Sequence, residues 1–156
     1  MTYCFDTSAF IGAWVRKYPP DVVPGFWDRL DELIQEGRVL WNVEVIAELE
    51  KQKDDLHKWV KDRSIACRAL DQEVQQKTKE ILAQYPLMLN TKGSRPTADP
   101  FIVAQAAVSD AVLVTEEGPS PKPSRLHIPD VCHGLGIDCI DLLTFMRRER
   151  IRLTLE

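Results

Sequence analysis

The chain has 156 residues and a net charge of −4, with 44% hydrophobic and 28% charged residues, seven Gly and ten Pro. This composition fits one globular domain spanning residues 1–156 with its own core, and it excludes a disordered chain and a disulfide-stapled mini-protein. The acidic balance provides no general positive field, so an anionic partner has to be held by local cations.

Thr2 to Phe5 is a short β-prone run that delivers Asp6-Thr7-Ser8 to its end, and Ala9 to Arg16 reads as a helix. After Tyr18-Pro19-Pro20, the residues Phe26, Trp27, Leu30, Leu33 and Ile34 recur at helical spacing up to a stop signal at Gly37. Arg38 to Asn42 is a second strand, followed by a helix with Val45, Ile46 and Leu49 on one face and Glu44 and Glu48 beside it. The segment from Asp54 to about Tyr85 is expected to be helical throughout, with Pro86 ending it. Leu87 to Leu89 is a candidate short strand, Lys92 to Pro96 a loop, and Ala98-Asp99-Pro100 opens a helix rich in Ala and Val.

Ala111 to Thr115 is an apolar strand, as a buried parallel strand should be, and it ends at Glu116-Glu117. The Pro-rich stretch from Gly118 to Ser124 is expected to be a mobile loop, flanked by Lys122 and Arg125. A short helix beginning at Pro129 stops at Gly134 or Gly136, Ile137 to Ile140 is a last strand, and Asp141 to Glu149 is a closing helix. Strands alternating with helices imply an α/β fold with a parallel sheet covered on both faces.

The longest apolar stretch, Phe101 to Val108, is far short of the roughly 18 residues a bilayer span needs, so no membrane partner is expected. Cys4, Cys67, Cys132 and Cys139 form no Cys-x-x-Cys pair, and Cys132, His133 and Cys139 lack the close pairing of a closed zinc site. Free thiols in a reducing cytoplasm are the expectation, as the opening residues do not read as a signal peptide.

In open parallel sheets, sites lie beyond the carboxyl ends of the strands, which singles out Asp6 and Glu116-Glu117. Asp99 and Glu48, each near the start or on the flank of a helix, can join them. Four carboxylates crowded together suit divalent Mg²⁺ or Mn²⁺, which prefer hard oxygen ligands. Two such ions about 4 Å apart can activate a water and stabilise the leaving oxygen of a phosphodiester. Each acid also has a purely structural reading. Asp6 and Asp99 can cap helices, with Pro100 at N1 after Asp99; Glu48 can pair with Lys51 or Gln52; Glu116 and Glu117 can be solvated charge.

Taken in order, Cys4-Phe5-Asp6-Thr7-Ser8, Val45-Ile46-Ala47-Glu48-Leu49, Ala98-Asp99-Pro100-Phe101-Ile102-Val103-Ala104 and Leu113-Val114-Thr115-Glu116-Glu117 resemble the four acidic motifs of the PIN-domain ribonucleases, the VapC-like family. The segments PGFWDRLDELIQEGRV and IPDVCHGLG resemble a bacterial and archaeal PIN-like subgroup catalogued as a domain of unknown function. The resemblance implies a three-layer α/β/α sandwich with a short, mostly parallel sheet, Mg²⁺ or Mn²⁺ dependence, and endoribonuclease activity on an RNA substrate. It further implies the toxin role of a toxin–antitoxin pair, with an antitoxin protein as partner and a homodimer as assembly. Carried over by position, Asp6, Glu48 and Asp99 fall on the principal acids, with Ser8 and Thr115 as supporting hydroxyls. Metal ligation is expected from Asp6, Asp99 and either Glu117 or Glu116, because the family pattern of Thr, any residue, Asp is here Thr115-Glu116-Glu117, where spacing favours Glu117.

Local cations for RNA are Arg16-Lys17, Lys122 to Arg125, and the Arg147-to-Arg152 tail, whose alternative is a solvated helix end. Trp14, Trp27, Trp41 and Trp59 sit mostly at core-facing spacing. The competing functions are a non-catalytic PIN-like binding module and a phosphate-handling acidic-site α/β domain. The latter lacks a second Asp two residues after Asp6, where Ser8 stands, and shows no receiver-type acidic pair.

Overall fold

Tyr3–Phe5 forms β1, whose three side chains are all buried, because a central parallel strand is covered on both faces. The computed structural model describes residues 1–88, 98–122 and 124–155. After β1 come α1 (Thr7–Ile11), a π-helical segment (Gly12–Lys17) and α2 (Pro24–Gln35). The helix expected from Ala9 to Arg16 is thus present but widens midway into the π segment. On α2 the five expected residues, Phe26, Trp27, Leu30, Leu33 and Ile34, are all buried, each worth about 1.5–3 kcal/mol in removal from water.

β2 (Val39–Asn42), α3 (Val43–Glu50) and α4 (Asp55–Asp62) follow. The segment expected to be wholly helical is interrupted here. A 3-10 turn at Ser64–Ala66 leads into β3 (Cys67–Arg68), which pairs in parallel with Trp41 and Asn42 before α5 (Gln72–Gln84) begins. Two residues are too few for an alternating pattern to show in sequence. The candidate strand at Leu87–Leu89 is also corrected: Pro86–Met88 is a 3-10 turn, and Leu89, like the Lys92–Pro96 loop, lies outside the described residues.

α6 (Asp99–Val108), β4 (Val112–Val114), α7 (Ile128–Leu135), β5 (Cys139–Ile140) and α8 (Leu142–Arg148) complete the order. Of the two candidate stops for α7, Gly136 is the cap, at φ 71° in the left-handed region that glycine enters without a Cβ penalty.

The five described strands form one parallel sheet in the order β3-β2-β1-β4-β5. Helices cover it in the three-layer α/β/α arrangement. Helix α6 lies on β1, β2 and β4 and packs against α5 and α7. Phe5 and Phe10 pack with Phe145 and Trp41 in edge-on contacts near 5 Å, joining α1 and α8 to the sheet. Trp27 and Trp41 are buried, and Trp14 and Trp59 pack partly buried against the same core. Arg63 lies over the Trp59 ring at 3.7 Å, occupying a face a nucleobase would need.

Candidate active site

Because the strands are parallel, their carboxyl ends form one rim. β1 sits at the centre with chain leaving toward β2 on one side and returning to β4 on the other, which opens a crevice between β1 and β4. Asp6 is the first residue after β1, and Thr115-Glu116-Glu117 follow β4.

Asp6 is only 2% exposed. It caps α1 by accepting the Ala9 N–H at 2.7 Å, its two oxygens lie 2.9 Å from the Ser8 hydroxyl, and its Oδ2 also accepts from the Thr115 hydroxyl. Burial pushes its carboxyl up to about 7 even though these donors favour the anion, and the charge of Asp99 adds to the rise. The capping role and the proposed site role therefore fall on one side chain. Ser8 and Thr115 hold the first carboxylate, and Ser8 also accepts the Glu116 N–H at 3.0 Å.

Asp99 departs from its expected place. Ala98 is the N-cap of α6, and Asp99 is the first residue inside the helix. The cause lies in the rest of α6: Pro100, Ile102, Val103, Ala104, Gln105 and Ala106 are all buried, so packing fixes the helix and leaves Asp99 facing the crevice. Its carboxyl is raised to about 7 by burial first, then by Glu117 and Glu48, against the opposing pull of Arg125 and His127. Glu117 is raised as well, by burial, with His127 and Arg125 opposing and Asp130 and Glu48 adding. Asp6, Glu48, Asp99 and Glu117 thus share one electrostatic environment.

Glu48 on α3 accepts the Thr7 hydroxyl at 2.5 Å rather than reaching along its own helix. The helix is fixed by Asn42, a fully buried residue at the end of β2. Asn42 accepts the Glu44 N–H at 3.0 Å and donates to Gln105 Oε1 at 2.9 Å, and Gln105 donates to Ser109 at 2.8 Å. A buried amide pair therefore ties α3, which carries Glu48, to α6, which carries Asp99.

Glu116 points elsewhere. It pairs with Lys17 and accepts the Leu142 N–H at 2.9 Å at the start of α8. Gly12 makes room for it: a Cβ there would stand 2.9 Å from Glu116 Cγ. Of the adjacent pair, only Glu117 shares the surroundings of Asp99. Two of the candidate RNA-facing cations are also engaged, Lys17 with Glu116 and Arg148 with Asp138.

Sequence reasoning overlooked Thr7 and His127. His127 Nδ1 lies 3.3 Å from Glu117 Oε1 and 3.0 Å from the Gly118 carbonyl oxygen. The available signal was the Arg125-x-His127 spacing, which in extended chain places both side chains on one side. The Pro-rich loop is better tethered than its composition suggests, for the Asp130 carboxylate accepts both the Ser120 N–H at 3.0 Å and the His127 N–H at 2.9 Å.

The donor chemistry of the crevice, carboxylates and hydroxyls without thiolate, suits a hard divalent cation. Among the described residues, no three His, Cys, Asp or Glu groups stand close enough to hold an ion as they are placed. Like charges without a counterion repel, which fits carboxylates standing apart with raised proton affinities.

Residues 3–153 match the model of a family described as Domain of unknown function (DUF4411). No curated protein matches the sequence significantly. Among solved structures, VapBC2 from Rickettsia felis, bound to a DNA fragment from their promoter, is similar with a TM-score of 0.56 and 16% identity over 90% of this chain and 98% of that one. FitAcB from Neisseria gonorrhoeae is similar with a TM-score of 0.53 and 16% identity over 89% and 96%. These likenesses are of fold, and they bear out the three-layer α/β/α architecture expected from the sequence. Among the described residues, no helix is long and apolar enough to cross a membrane.

Proposed function

The chain belongs to the DUF4411 family, and from the acidic crevice that its PIN-like fold builds we propose that it is a Mg²⁺- or Mn²⁺-dependent endoribonuclease, the toxin of a type II toxin–antitoxin pair. The observation that carries this reading is the electrostatic convergence of Asp6, Glu48, Asp99 and Glu117, four acids from separate segments at the switch point of the sheet. Buried carboxylates that raise one another's proton affinity gain most from a divalent cation, because the ion offsets the repulsion that burial amplifies.

In this reading Asp6, Asp99 and Glu117 hold the metal, which when bound supplies an activated water and charge stabilisation at the phosphorus. Glu48 completes the acidic wall, kept in place by Thr7. Ser8 and Thr115 hold the Asp6 carboxylate in place. Arg125, whose charge acts on both Asp99 and Glu117, is the cation assigned to the RNA backbone. The likeness to the VapBC2 and FitAcB assemblies supports the toxin role, an antitoxin partner and, with it, a cytoplasmic setting. A homodimer is the assembly expected.

That no three of the described acidic, His or Cys groups stand close enough to hold an ion as placed favours a second reading, a non-catalytic PIN-like binding module. Labelled RNA and DNA incubated with the protein in Mn²⁺ or Mg²⁺ decide between them. Cleavage of RNA that chelator stops and Asp99→Asn removes is the expected result; intact RNA under all conditions would leave the binding module.

A further inference from the structure

Two of the four thiols meet on one side of the sheet. Tyr3 and Phe5 both pack on Phe145 of α8, so strand alternation turns Cys4, which lies between them, to the opposite face. Paired residues of parallel strands share a face, and the register runs from Cys4 to Leu113 to Cys139. Cys139 therefore faces the layer of α6, which crosses β1, β2 and β4 and packs on α7. Cys132 sits in α7, fully buried, and the chain turns back there, the Ile137 N–H donating to the Cys132 carbonyl at 2.9 Å. The Cys132 S–H donates to the Cys139 sulfur, which holds the Cys139 thiol below the usual range, while the same contact and burial push Cys132 up. Cys139 is only half-buried, and with Asp130 and His133 of α7 and with Ile137 it lines an open groove. One thiol is thus reachable and the other stands behind it. Cys4 is two strand spacings from Cys139, about 9.6 Å, past the roughly 7 Å between Cα atoms that a disulfide spans. Cys67 lies on β3 at the other edge of the sheet.

We infer that Cys139 and Cys132 form a reactive dithiol, a modification site that takes a low-molecular-weight disulfide from the groove and closes into an intramolecular disulfide. The inference is independent of the chemistry of the acidic crevice. Cys139 gives its proton to solvent and its thiolate attacks one sulfur of the incoming disulfide; that S–S bond breaks, a mixed disulfide forms, and one small thiolate leaves. Cys132 then passes its proton to the departing thiolate, and its sulfur attacks the Cys139 sulfur and expels the second small thiolate, which takes up the proton lost at the start. Two protein thiols are oxidised by two electrons, and one disulfide is reduced to two thiols. The bridge ties α7 to β5, whose neighbouring Asp138 and Ile140 carbonyls accept the Leu113 and Thr115 N–H groups, so oxidation fastens the edge against which β4 is held.

The test incubates the full chain with oxidised glutathione near neutral pH, counts the free thiols, and maps any bridge by peptide mass spectrometry before and after dithiothreitol. The expected result is loss of two of the four thiols to a Cys132–Cys139 bridge that dithiothreitol reopens. Iodoacetamide given to the reduced protein should alkylate Cys139 about tenfold or more faster than Cys67, because each pKa unit between two thiols changes the thiolate fraction about tenfold. Cys67 is the internal comparison, since it is also half-buried but burial pushes its thiol up. Cys132→Ala should stop the reaction at a glutathione adduct on Cys139, and Cys139→Ala should leave Cys132 unmodified. The mapping on the wild-type chain decides the matter even where a variant fails to fold. Four intact thiols, a glutathione adduct that persists on wild-type Cys139, a bridge through Cys4 or Cys67, or equal alkylation of Cys139 and Cys67 would each overturn the inference.

Discussion

The Thr115 hydroxyl donates to the Asp6 carboxylate across 109 residues of sequence, joining the ends of β1 and β4 at the point where the crevice opens. Thr115 is 3% exposed and Asp6 2%, so water does not replace either partner when the other is lost.

Thr115→Val keeps the shape of the side chain and removes both this donor and the acceptor of the Glu117 N–H. Hydrogen bonds to charged groups are worth about 1.5–3 kcal/mol. We expect a stability loss of that order in urea unfolding, together with a drop in metal-dependent cleavage.

The pH dependence of stability has a definite sign. The carboxyls of Asp6 and Asp99 are raised from 3.8 to about 7, so between those values the folded chain binds more protons than the unfolded one, and the metal-free protein loses stability as pH rises through that window. Asp99→Asn removes one of these charges. It should raise the melting temperature of the metal-free protein at about pH 8 by about 2–4 °C for each kcal/mol of repulsion relieved, and leave it nearly unchanged at about pH 4. Scanning calorimetry at both pH values checks this.

Glu116 and Glu117 should separate by variant. Glu116→Gln weakens the Lys17 pair and the α8 contact, and should lower thermal stability while retaining most cleavage. Glu117→Gln should leave the fold in place and reduce cleavage by at least tenfold. Equal loss of activity in both would return Glu116 to the site.

Asn42→Ala removes the cap of α3 and leaves the Gln105 amide oxygen buried without its donor. A lost cap costs about 0.5–2 kcal/mol and an unsatisfied buried polar group about 1–3 kcal/mol. The variant should unfold at lower urea concentration and show faster amide exchange in both α3 and the second half of α6 around Gln105.

Much of the architecture was legible because its signals are strong locally. The spacing of Phe26, Trp27, Leu30, Leu33 and Ile34 defines α2 without reference to the rest of the chain, and the apolar run at Ala111–Thr115 marks β4. β3 was hidden because two residues carry no period, and its pairing with Trp41–Asn42 is a tertiary event. Asp99 looked like a cap since Asp before Pro is a common helix start, yet the packing of Ile102 through Ala106 shifts the helix boundary by one residue. Asp6 and the Glu116-Glu117 pair were readable from their positions after strands, whereas what sets Glu116 apart from Glu117 is its contact with Lys17 and Gly12, some hundred residues away. His127 escaped notice for the same reason: its meaning comes from the fold of the 118–130 segment back onto Glu117.

The central claim is that these acids jointly take a divalent cation, and the most direct measurement is a calorimetric Mn²⁺ titration of the wild-type chain beside Asp6→Asn, Asp99→Asn. Saturable binding at neutral pH that the double variant loses is the predicted result, with proton release in the wild type because carboxyls with pKa values near 7 give up protons to the metal. No binding heat in the wild type, or equal binding in the double variant, would contradict the account.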